Sequence, residues 1–540
     1  MPNLLIAAVP ALMTVTFAPV LLAQRPCEGL SDLKLPHATI TSSALVAEGP
    51  FSAPVGRGNA SPVSLPARCV VKGIARPTSD SEIHFEVWLP ADGWNGKYQQ
   101  VGNGGWAGAI PAAGMIEPLR RGYATAGTDD GHSGGLGANW AIGHPEKLID
   151  FGYRAVHETN LQAQVLIRAF YGKDASLNYF AGCSDGGREA LMEAQRYPED
   201  FTGIIAGAPA NFWSHLFAGF LWNEQTLLKD PASRIPPAKL PAIQKAVLAQ
   251  CDALDGVKDG LIEDPRACHF NPRELLCKGS DAEDCLTAPQ AEALAKIYAG
   301  PTNSRTGARI FPGYPPGTES VPGAWAAWII PPSPQGGAVQ SVFGNSYFGQ
   351  AVFEKPEWDF RTLNFDSDVD LSDQKAGSIL DSTSPDLRTF RAHGGKLIQY
   401  HGWGDPAISP LNSIEYYENV RSFLGKYPDP RSDSSKPVQD FYRLFLVPGM
   451  GHCAGGLGPN DFGNVGGPAT SSPDPDHDVL SALERWVEKG VPPAHIIGSG
   501  TVASDPARKM TRPLCPYPQM ARYSGSGSTE DAANFSCVVP

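Results

Sequence analysis

The chain has 540 residues and a formal net charge of −13, and charged side chains make up only 18% of it. A hydrophobic content of 42% is typical of a globular protein and excludes disorder over most of the length. The acidic balance argues against nucleic acid or an anionic membrane surface as a partner. Because the length exceeds one ordinary core, we expect two domains, or one domain with a large insertion.

The first 24 residues are typical of a secretory signal peptide. Residues 4–23 form an uncharged, mostly apolar run that contains two prolines and ends in small residues. No Lys or Arg precedes this run, and an N-terminal membrane anchor is the competing interpretation, because the run approaches spanning length. The prolines favour cleavage near Ala23 or Gln24. We therefore expect a secreted or periplasmic mature protein that has no membrane segment.

Residues 25–210 are predicted to form the first part of an α/β domain. Residues 25–80 are loop-like, whereas from residue 83 onward strand patterns alternate with helical ones, which predicts a parallel sheet with crossover helices. A glycine cluster at 102–105 follows one predicted strand directly and favours a backbone site for a developing oxyanion, with a simple hairpin turn as the alternative. Asp129 and Asp130 follow another strand, and we interpret them as loop caps rather than metal ligands.

Residues 182–186 (GCSDG) match G-x-S-x-G, the pattern of a nucleophile elbow. Glycines are required because side chains flanking the serine would collide in so tight a turn. Strand-like residues 177–180 precede the motif, and strong helix formers at 189–196 follow it. An ordinary glycine-rich turn is the alternative, but this context favours Ser184 as a nucleophile.

The composition of the sequence changes at residues 211–385, which have few strand patterns and many Pro and Gly residues. We expect an inserted lid over the active site. The segment is rich in aromatic residues, most of which we expect to form the core of the lid itself. These include Phe212, Trp213, Phe217, Phe220, Trp222, Trp325, Trp328, Phe343, Tyr347, Phe348 and Phe353.

A short acidic loop lies inside this insertion. Asp252, Asp255 and Asp259 fall within eight residues, each near a glycine, and concentrate hard oxygen ligands on a segment that can wrap an ion. Calcium takes such carboxylates together with backbone carbonyls. The spacing is not that of an EF-hand, and a solvated acidic loop is the alternative.

Sheet character returns in residues 386–540, the expected second part of the α/β domain. Asp405 lies in a loop after the predicted strand 396–400, and His452 lies in a loop after the predicted strand 441–448. The chain order Ser184, Asp405, His452 is that of α/β-hydrolase triads. His401 and His393 do not fit this order, and we assign them loop or packing roles.

The ten cysteines are an even number, as in an exported, disulfide-bonded enzyme. Cys183 directly precedes the candidate nucleophile and Cys453 directly follows the candidate base, so a disulfide between them would join the two catalytic loops. The remaining pairs are expected from proximity along the chain. They are Cys27–Cys69, Cys251–Cys268, Cys277–Cys285 and Cys515–Cys537.

Together these residues resemble the CS-D-HC motif of the tannase and feruloyl esterase family, here Cys183-Ser184, Asp405 and His452-Cys453. The resemblance implies an α/β-hydrolase fold with a lid domain and a secreted carboxylesterase that needs no organic cofactor. The backbone N–H of Asp185, with that of Gly104 or Gly105, would then hold the oxyanion. The acidic loop resembles the family's structural calcium site, which implies ligands from Asp252, Asp255, the Val257 carbonyl, Asp259 and the Leu261 carbonyl.

Substrates of that family include feruloyl and other hydroxycinnamoyl esters, gallate esters and a terephthalate monoester. A terephthalate monoester carries a free carboxylate, which would favour an arginine in the lid, and residues 310–360 contain none. We therefore expect a small aromatic ester of feruloyl type as substrate, with gallate esters as the alternative. A catalytically inactive binding protein on the same scaffold is disfavoured because all three triad residues are present.

Overall fold

A computed structural model describes residues 24–55, 58–427, 438–468, 473–503 and 505–540. The expected signal peptide therefore lies, up to residue 23, outside the described residues. Within them, no helix is both long enough and apolar enough to cross a membrane.

The described residues form 18 strands, of which nine build one central sheet. In chain order the strands are β1 (Ala38–Val46), β2 (Gly49–Phe51), β3 (Pro54–Val55), β4 (Gly58–Asn59), β5 (Val63–Leu65), β6 (Arg68–Ala75), β7 (Ile83–Pro90), β8 (Lys97–Val101), β9 (Ala124–Thr128), β10 (Leu177–Cys183), β11 (Gly203–Gly207), β12 (Lys396–Gly402), β13 (Tyr442–Val447), β14 (Gly458–Asp461), β15 (Ile496–Val502), β16 (Asp505–Leu514), β17 (Met520–Tyr523) and β18 (Phe535–Val538).

The central sheet has the strand order β1-β6-β7-β9-β8-β10-β11-β12-β13. The six strands from β9 to β13 run parallel, whereas β1, β6 and β7 pair antiparallel at one end. All five residues of β11 are buried, as expected for a strand that is covered on both faces. The expected parallel sheet is thus confirmed from β8 onward, whereas β7, the strand that begins at residue 83, is antiparallel to both of its neighbours.

Fourteen α-helices lie among the described residues. They are α1 (Ala112–Arg120), α2 (Pro145–Ile149), α3 (Ala155–Tyr171), α4 (Asp185–Arg196), α5 (Trp213–Leu228), α6 (Leu240–Cys251), α7 (Ala288–Ala299), α8 (Trp325–Trp328), α9 (Val339–Ser346), α10 (Asp368–Ser372), α11 (Ser378–Leu380), α12 (Arg388–Ala392), α13 (Pro410–Lys426) and α14 (Val479–Lys489).

Helices cover both faces of the central sheet. On one face α3, α4 and α13 pack against Phe180 and Ile204, and on the other α14 packs against Tyr179 and Ile205. This alternation follows from the two-residue period of side chains along a strand. The α/β-hydrolase arrangement therefore brings the ends of the parallel strands to one edge of the sheet, where the loops that carry the candidate site begin.

A long segment is inserted between two strands that are neighbours in the sheet. β11 and β12 pair directly, Gly203 with Lys396, yet residues 208–395 separate them in sequence. The described part of this segment contributes no strand to the central sheet and carries helices α5 to α12. Its buried aromatic residues, such as Phe217, Tyr347 and Phe348, pack together in an apolar core that also includes Trp106 and Phe151 from outside the insertion.

The prediction that residues 25–80 are loop-like is wrong. They contain β1 and β6, which pair with each other over eight positions. β1 is an edge strand with no buried residue, so its sequence lacks the apolar alternation that marks a half-buried strand. Its conformation is set by pairing with β6 instead.

Five disulfides join the pairs that the sequence suggested. The bonds are Cys27–Cys69, Cys183–Cys453, Cys251–Cys268, Cys277–Cys285 and Cys515–Cys537, and no cysteine of the described residues is free. Cys183 and Cys453 are 270 residues apart in sequence, with Cα atoms 5.9 Å apart. This bond joins the end of β10 to the loop after β13.

Candidate active site

Ser184 lies at the junction between β10 and α4, in a backbone conformation that residues other than glycine rarely adopt. Its φ is 67° and its ψ is −119°. The surrounding backbone holds this conformation, because the Ser184 N–H donates to Gly207 O at 3.0 Å and the Ser184 carbonyl accepts from Ala210 N at 3.0 Å. Such strain persists only where neighbouring structure over-determines it, and it is typical of functional sites.

The glycines of the motif are required by close backbone contacts. A Cβ atom at Gly182 would lie 2.3 Å from Gly186 O, and one at Gly186 would lie 2.8 Å from Asn103 O. Both distances are shorter than any that real Cβ atoms tolerate. The pattern G-x-S-x-G thus allows β10, α4 and the loop after β8 to approach one another around the serine.

His452 and Asp405 form a hydrogen-bonded pair. His452 Nδ1 lies 2.8 Å from Asp405 Oδ2, and Asp405 is buried. Burial opposes ionisation of Asp405, but the charge of His452 and hydrogen bonds from two histidines lower its pKa below the usual range. Because the ionised carboxylate of Asp405 accepts a hydrogen bond from His452 Nδ1, Nε2 is the nitrogen of His452 that can take up a proton.

Ser184 and His452 line the same cavity, which has a volume of about 340 Å³. No hydrogen bond joins Ser184 Oγ to the His452 ring among the described residues, and in ligand-free enzymes such contacts often tighten only when substrate binds. The rest of the lining is mostly apolar, and none of its described side chains is Lys, Arg, Asp or Glu. It comprises Gly102, Asn103, Gly104, Gly105, Cys183, Ala210, Trp213, Leu216, Phe217, Phe220, Trp328, Phe343, Ala407, Ile408, Cys453, Val465 and Gly466.

Two groups of backbone N–H donors face this region. Asp185 is the first residue of α4, so its N–H has no acceptor within the helix. Gly104 and Gly105 line the cavity, and Gly105 has a φ of 63°, a value that favours glycine. A Cβ at Gly105 would also lie 3.3 Å from the Phe343 ring. Of the predicted triad and oxyanion residues, Ser184, His452, Gly104 and Gly105 line the cavity, whereas Asp185 follows Ser184 directly and Asp405 reaches the site through its hydrogen bond with His452.

Behind the elbow lies a cluster of buried carboxyl groups that the sequence analysis did not anticipate. Oxygens of Asp130, Asp185 and Glu189 lie within 4.8 Å of one another, a spacing that a metal ion can bridge. Arg188 supplies positive charge there and donates to Asp185 Oδ1 at 2.6 Å. Burial, ahead of neighbouring charges, raises the pKa of Asp130 well above its usual value and that of Asp185 to about 7.

These carboxyl groups accept hydrogen bonds from Asn103, which lies in the glycine cluster at 102–105. The Asn103 N–H donates to Glu189 Oε2 at 3.1 Å, and its side-chain amide donates to Asp130 Oδ2 at 2.9 Å. The interpretation of Asp130 as a loop cap is therefore incomplete, since its side chain is fully buried in this network. Asp129 does cap a turn, accepting from Gly131 N at 2.9 Å.

The carboxylates of the acidic loop in the inserted segment accept hydrogen bonds from backbone N–H groups of the same loop. Asp255 Oδ1 accepts from Val257 N at 2.9 Å and Asp259 Oδ1 accepts from Leu261 N at 3.1 Å, while Asp252 Oδ1 accepts from Gly260 N at 3.0 Å. Burial and then the charge of Asp259 raise the pKa of Asp255 to about 6, against the effect of the Val257 and Glu263 N–H groups. Carboxylate oxygens are the hard ligands that calcium takes, so the chemistry of these three side chains is compatible with such an ion.

Arg512 of β16 forms an ion pair with this loop. Its Nη2 lies 2.7 Å from Asp259 Oδ2. Glu263 lies buried beside it and accepts from Ala521 N at 3.1 Å. Burial raises the pKa of Glu263 to about 8 in spite of Arg512. Arg512 and Lys258 therefore face the four carboxyl groups of Asp252, Asp255, Asp259 and Glu263, which leaves charge for a cation to balance.

His401, to which the sequence analysis gave a loop or packing role, is the second histidine that contacts Asp405. Its Nε2 lies 3.1 Å from Asp405 Oδ2, and its side chain is fully buried. His393, by contrast, is exposed and pairs with Glu199 at the surface. The only sequence signal for this role is the spacing of four residues between His401 and Asp405, which does not by itself predict a contact in a loop.

Comparison with known proteins identifies the family of this chain. The family model described as "Tannase and feruloyl esterase" matches residues 69–538. An uncharacterized esterase of Xanthomonas campestris is 46% identical over 99% of this chain and 94% of its own length. The mono(2-hydroxyethyl) terephthalate hydrolase of Piscinibacter sakaiensis is 34% identical over 95% of this chain and 91% of its own.

Solved structures agree. The crystal structure of feruloyl esterase B from Aspergillus oryzae superimposes with a TM-score of 0.85 at 29% identity, covering 95% of this chain and 99% of that one. The match thus extends over both parts of the α/β domain and over the inserted segment. This chain is a member of the tannase and feruloyl esterase family of carboxylic ester hydrolases.

Proposed function

We propose that the protein is a serine esterase that hydrolyses small aromatic carboxylic esters of feruloyl type. One observation carries this proposal: Ser184 at a strained elbow and His452, whose Nδ1 is hydrogen-bonded to Asp405, line a single cavity whose walls are apolar and aromatic. An aromatic acyl group buries its ring against such walls, while its ester carbonyl lies at the serine.

The mechanism follows from these positions. Ser184 Oγ attacks the ester carbonyl as His452 Nε2 takes its proton, and Asp405 stabilises the imidazolium through Nδ1. The N–H groups of Asp185 and of Gly104 or Gly105 donate to the oxyanion of the tetrahedral intermediate, each contributing about 3 kcal/mol by analogy with measured cases. Collapse of this intermediate releases the alcohol, which takes the proton from His452. Water then hydrolyses the acyl-enzyme by the same steps.

The cavity lining bears on the choice of acyl group. A terephthalate monoester would bring a carboxylate into a cavity whose described lining has no Lys or Arg, and desolvating that charge is costly. A galloyl ring has three hydroxyl groups, and each one left without a partner in the cavity costs roughly 1–3 kcal/mol. A feruloyl ring has one hydroxyl group and a methoxy group, so it loses less. This difference favours feruloyl esters over gallate esters.

A panel of substrates tests this proposal. We expect kcat/KM for methyl ferulate to exceed that for methyl gallate by about tenfold or more, which corresponds to one unpaired buried hydroxyl group. The terephthalate monoester is expected to be the poorest of the three. Higher activity on the gallate would assign the protein to the tannases, and hydrolysis of none of the three would contradict the aromatic esterase proposal.

The domain division and the location of the protein belong to the same proposal. Residues 1–24 act as a signal peptide, 25–210 and 386–540 form the catalytic domain, and 211–385 form the lid. Trp213, Phe217, Phe220 and Phe343 support this role for the insertion, because they reach from it into the cavity. Five disulfides support an oxidising compartment, outside the cell or in the periplasm.

A structural calcium ion in the acidic loop is a further part of the proposal. Asp252, Asp255 and Asp259 would bind it through carboxylate oxygens, and Val257 and Leu261 through their carbonyl oxygens. The ion would balance the negative charge of the loop carboxylates that the ion pair with Arg512 does not neutralise. It has no role in ester hydrolysis, because these residues do not line the cavity around Ser184.

Chelation is therefore expected to lower stability without altering the chemistry. Removing an ion present at 100 times its Kd costs about 2.7 kcal/mol, which for a chain of this length corresponds to a fall in Tm of roughly 2–3 °C. Calorimetry with and without a chelator measures this fall, and added calcium should reverse it. The kcat at a temperature well below Tm should not change.

Two variants show whether the effect belongs to this loop. Asp255→Asn should lower Tm and abolish its response to the chelator. Asp284→Asn, which changes an exposed carboxylate of the same inserted segment, should leave both unchanged. An equal chelator response in Asp255→Asn and in the unaltered protein would contradict a calcium site at Asp255.

A further inference from the structure

A continuous chain of hydrogen bonds runs through the protein interior to the acid of the proposed triad. His401 is the residue before the last of β12, and its Nε2 lies 3.1 Å from Asp405 Oδ2 and 3.0 Å from Ile408 O. Its Nδ1 lies 2.7 Å from Ser413 Oγ, on α13. His401 and Ser413 are both fully buried, so water cannot replace these contacts.

The partners of this chain determine which nitrogen of His401 carries hydrogen. Gln399 Nε2 donates to Ser413 Oγ at 2.6 Å, and Tyr442 Oη donates to Gln399 Oε1. Since Ser413 accepts from Gln399, its own hydroxyl hydrogen is free to go to His401 Nδ1. Nδ1 is then an acceptor, and Nε2 of the neutral ring bears the hydrogen. That assignment agrees with the other side of the ring, where Nε2 faces only acceptors.

Asp405 thus accepts hydrogen bonds at both carboxylate oxygens. The N–H groups of Ala407 and Ile408 donate to Oδ1 at 2.8 and 3.0 Å. Oδ2 accepts from His401 Nε2 on one side and faces His452 Nδ1 at 2.8 Å on the other. Without His401, Oδ2 would have a single partner, and that partner is the imidazole that must move protons during the reaction.

We propose that His401 is a positioning residue, neutral and protonated at Nε2, that fixes Asp405 Oδ2 against His452 Nδ1. This inference rests on the proposed catalytic role of Asp405 and His452. His401 does not line the cavity around Ser184 and does not contact substrate there. Its contribution is to hold the carboxylate in the plane and direction that keep His452 Nε2 directed at the nucleophile.

Kinetics of two replacements at this position test the role. His401→Leu fills similar space without a donor, whereas His401→Gln retains an amide N–H near the position of Nε2. We expect kcat of His401→Leu on methyl ferulate to fall roughly 10- to 100-fold with KM changed less than twofold, by analogy with residues that orient other functional histidines. His401→Gln should recover most of this loss. His393→Leu, at an exposed histidine eight positions earlier in sequence, should behave as the unaltered protein.

Active-site titration with an organophosphate that reacts with serine corrects kcat for the fraction of folded enzyme. An unchanged kcat in His401→Leu, or an equal loss in His401→Gln, would overturn the positioning role and leave His401 a packing residue. If His401→Leu does not fold, Ser413→Ala takes its place. Removing the donor to Nδ1 should lower kcat severalfold at constant KM, and an unchanged kcat there would also overturn the inference.

A spectroscopic readout separates this inference from the proposed function. The 15N NMR signals of the His401 ring should report hydrogen on Nε2 and an acceptor at Nδ1 at the pH of the kinetic assays. An imidazolium, or a hydrogen on Nδ1, would overturn the inference even if ester hydrolysis were confirmed. A protein that shows the expected ring signals but hydrolyses no ester would instead contradict the proposed function alone.

Discussion

Ser184→Ala is expected to lower kcat for ester hydrolysis by about 10⁴- to 10⁶-fold, the range measured when a triad serine is removed. The reason is that no other nucleophile of the described residues lines the cavity beside His452, since Cys183 and Cys453 are bonded to each other. KM should change little, because the apolar walls that bind the aromatic ring are untouched. Tm should stay within a few degrees of that of the unaltered protein, because the backbone contacts at residue 184 are retained.

Initial rates on methyl ferulate measure this loss, and a mass spectrum after treatment with a sulfonyl fluoride gives an independent check. The unaltered protein should carry the label on the peptide that contains Ser184, and the variant should carry none. Ser526→Ala, at an exposed serine in the C-terminal tail, is the matched control and should keep full activity. Hydrolysis by Ser184→Ala at more than a tenth of the normal rate would refute the assignment of the nucleophile.

The parts of the site that could be predicted from sequence are those encoded by short local patterns. The elbow requires glycines two positions either side of Ser184 because of contacts within the motif and with the loop after β8. Asp405 and His452 each follow a strand with a clear apolar pattern, and their chain order matched a known arrangement. The cysteines beside Ser184 and His452 then added a distance constraint, which the Cys183–Cys453 bond satisfies.

The parts that could not be predicted depend on residues that come together only in the folded chain. The role of His401 depends on a tautomer, which Ser413 of α13 determines. The carboxyl cluster behind the elbow joins Asp130, at the end of β9, to Glu189, within α4. Neither pairing has a sequence period or a spacing that would reveal it. The edge strand β1 was missed for a similar reason, since pairing with β6 rather than a buried face determines its conformation.

Loss of the Cys183–Cys453 bond is expected to reduce both stability and activity. Its removal in Cys183→Ser/Cys453→Ser frees a loop closed over 270 residues, and chain entropy alone makes this cost about 5–6 kcal/mol. Calorimetry should show a fall in Tm larger than that of any other single disulfide removal. Reducing agents cannot replace the variant, because they act on all five bonds.

The effect on activity distinguishes a role in alignment from a role in stability. Cys453 has a φ of 64° and lies directly after His452, and Cys183 lies directly before Ser184. The bond between the two cysteines therefore fixes the position of the His452 loop relative to Ser184. A displacement of about 1 Å between nucleophile and base can cost roughly 10²-fold in rate, and we expect a loss of that order in kcat at temperatures well below Tm.

The matched control is Cys515→Ser/Cys537→Ser, which opens a loop of 22 residues in the tail. Its entropic cost is about 3 kcal/mol, and since neither cysteine lines the cavity its kcat should be unchanged. If the Cys183/Cys453 variant also kept its full kcat at low temperature, the bond would serve stability alone. A loss of kcat confined to that variant would instead show that the tie between the two catalytic loops holds Ser184 and His452 in reacting geometry.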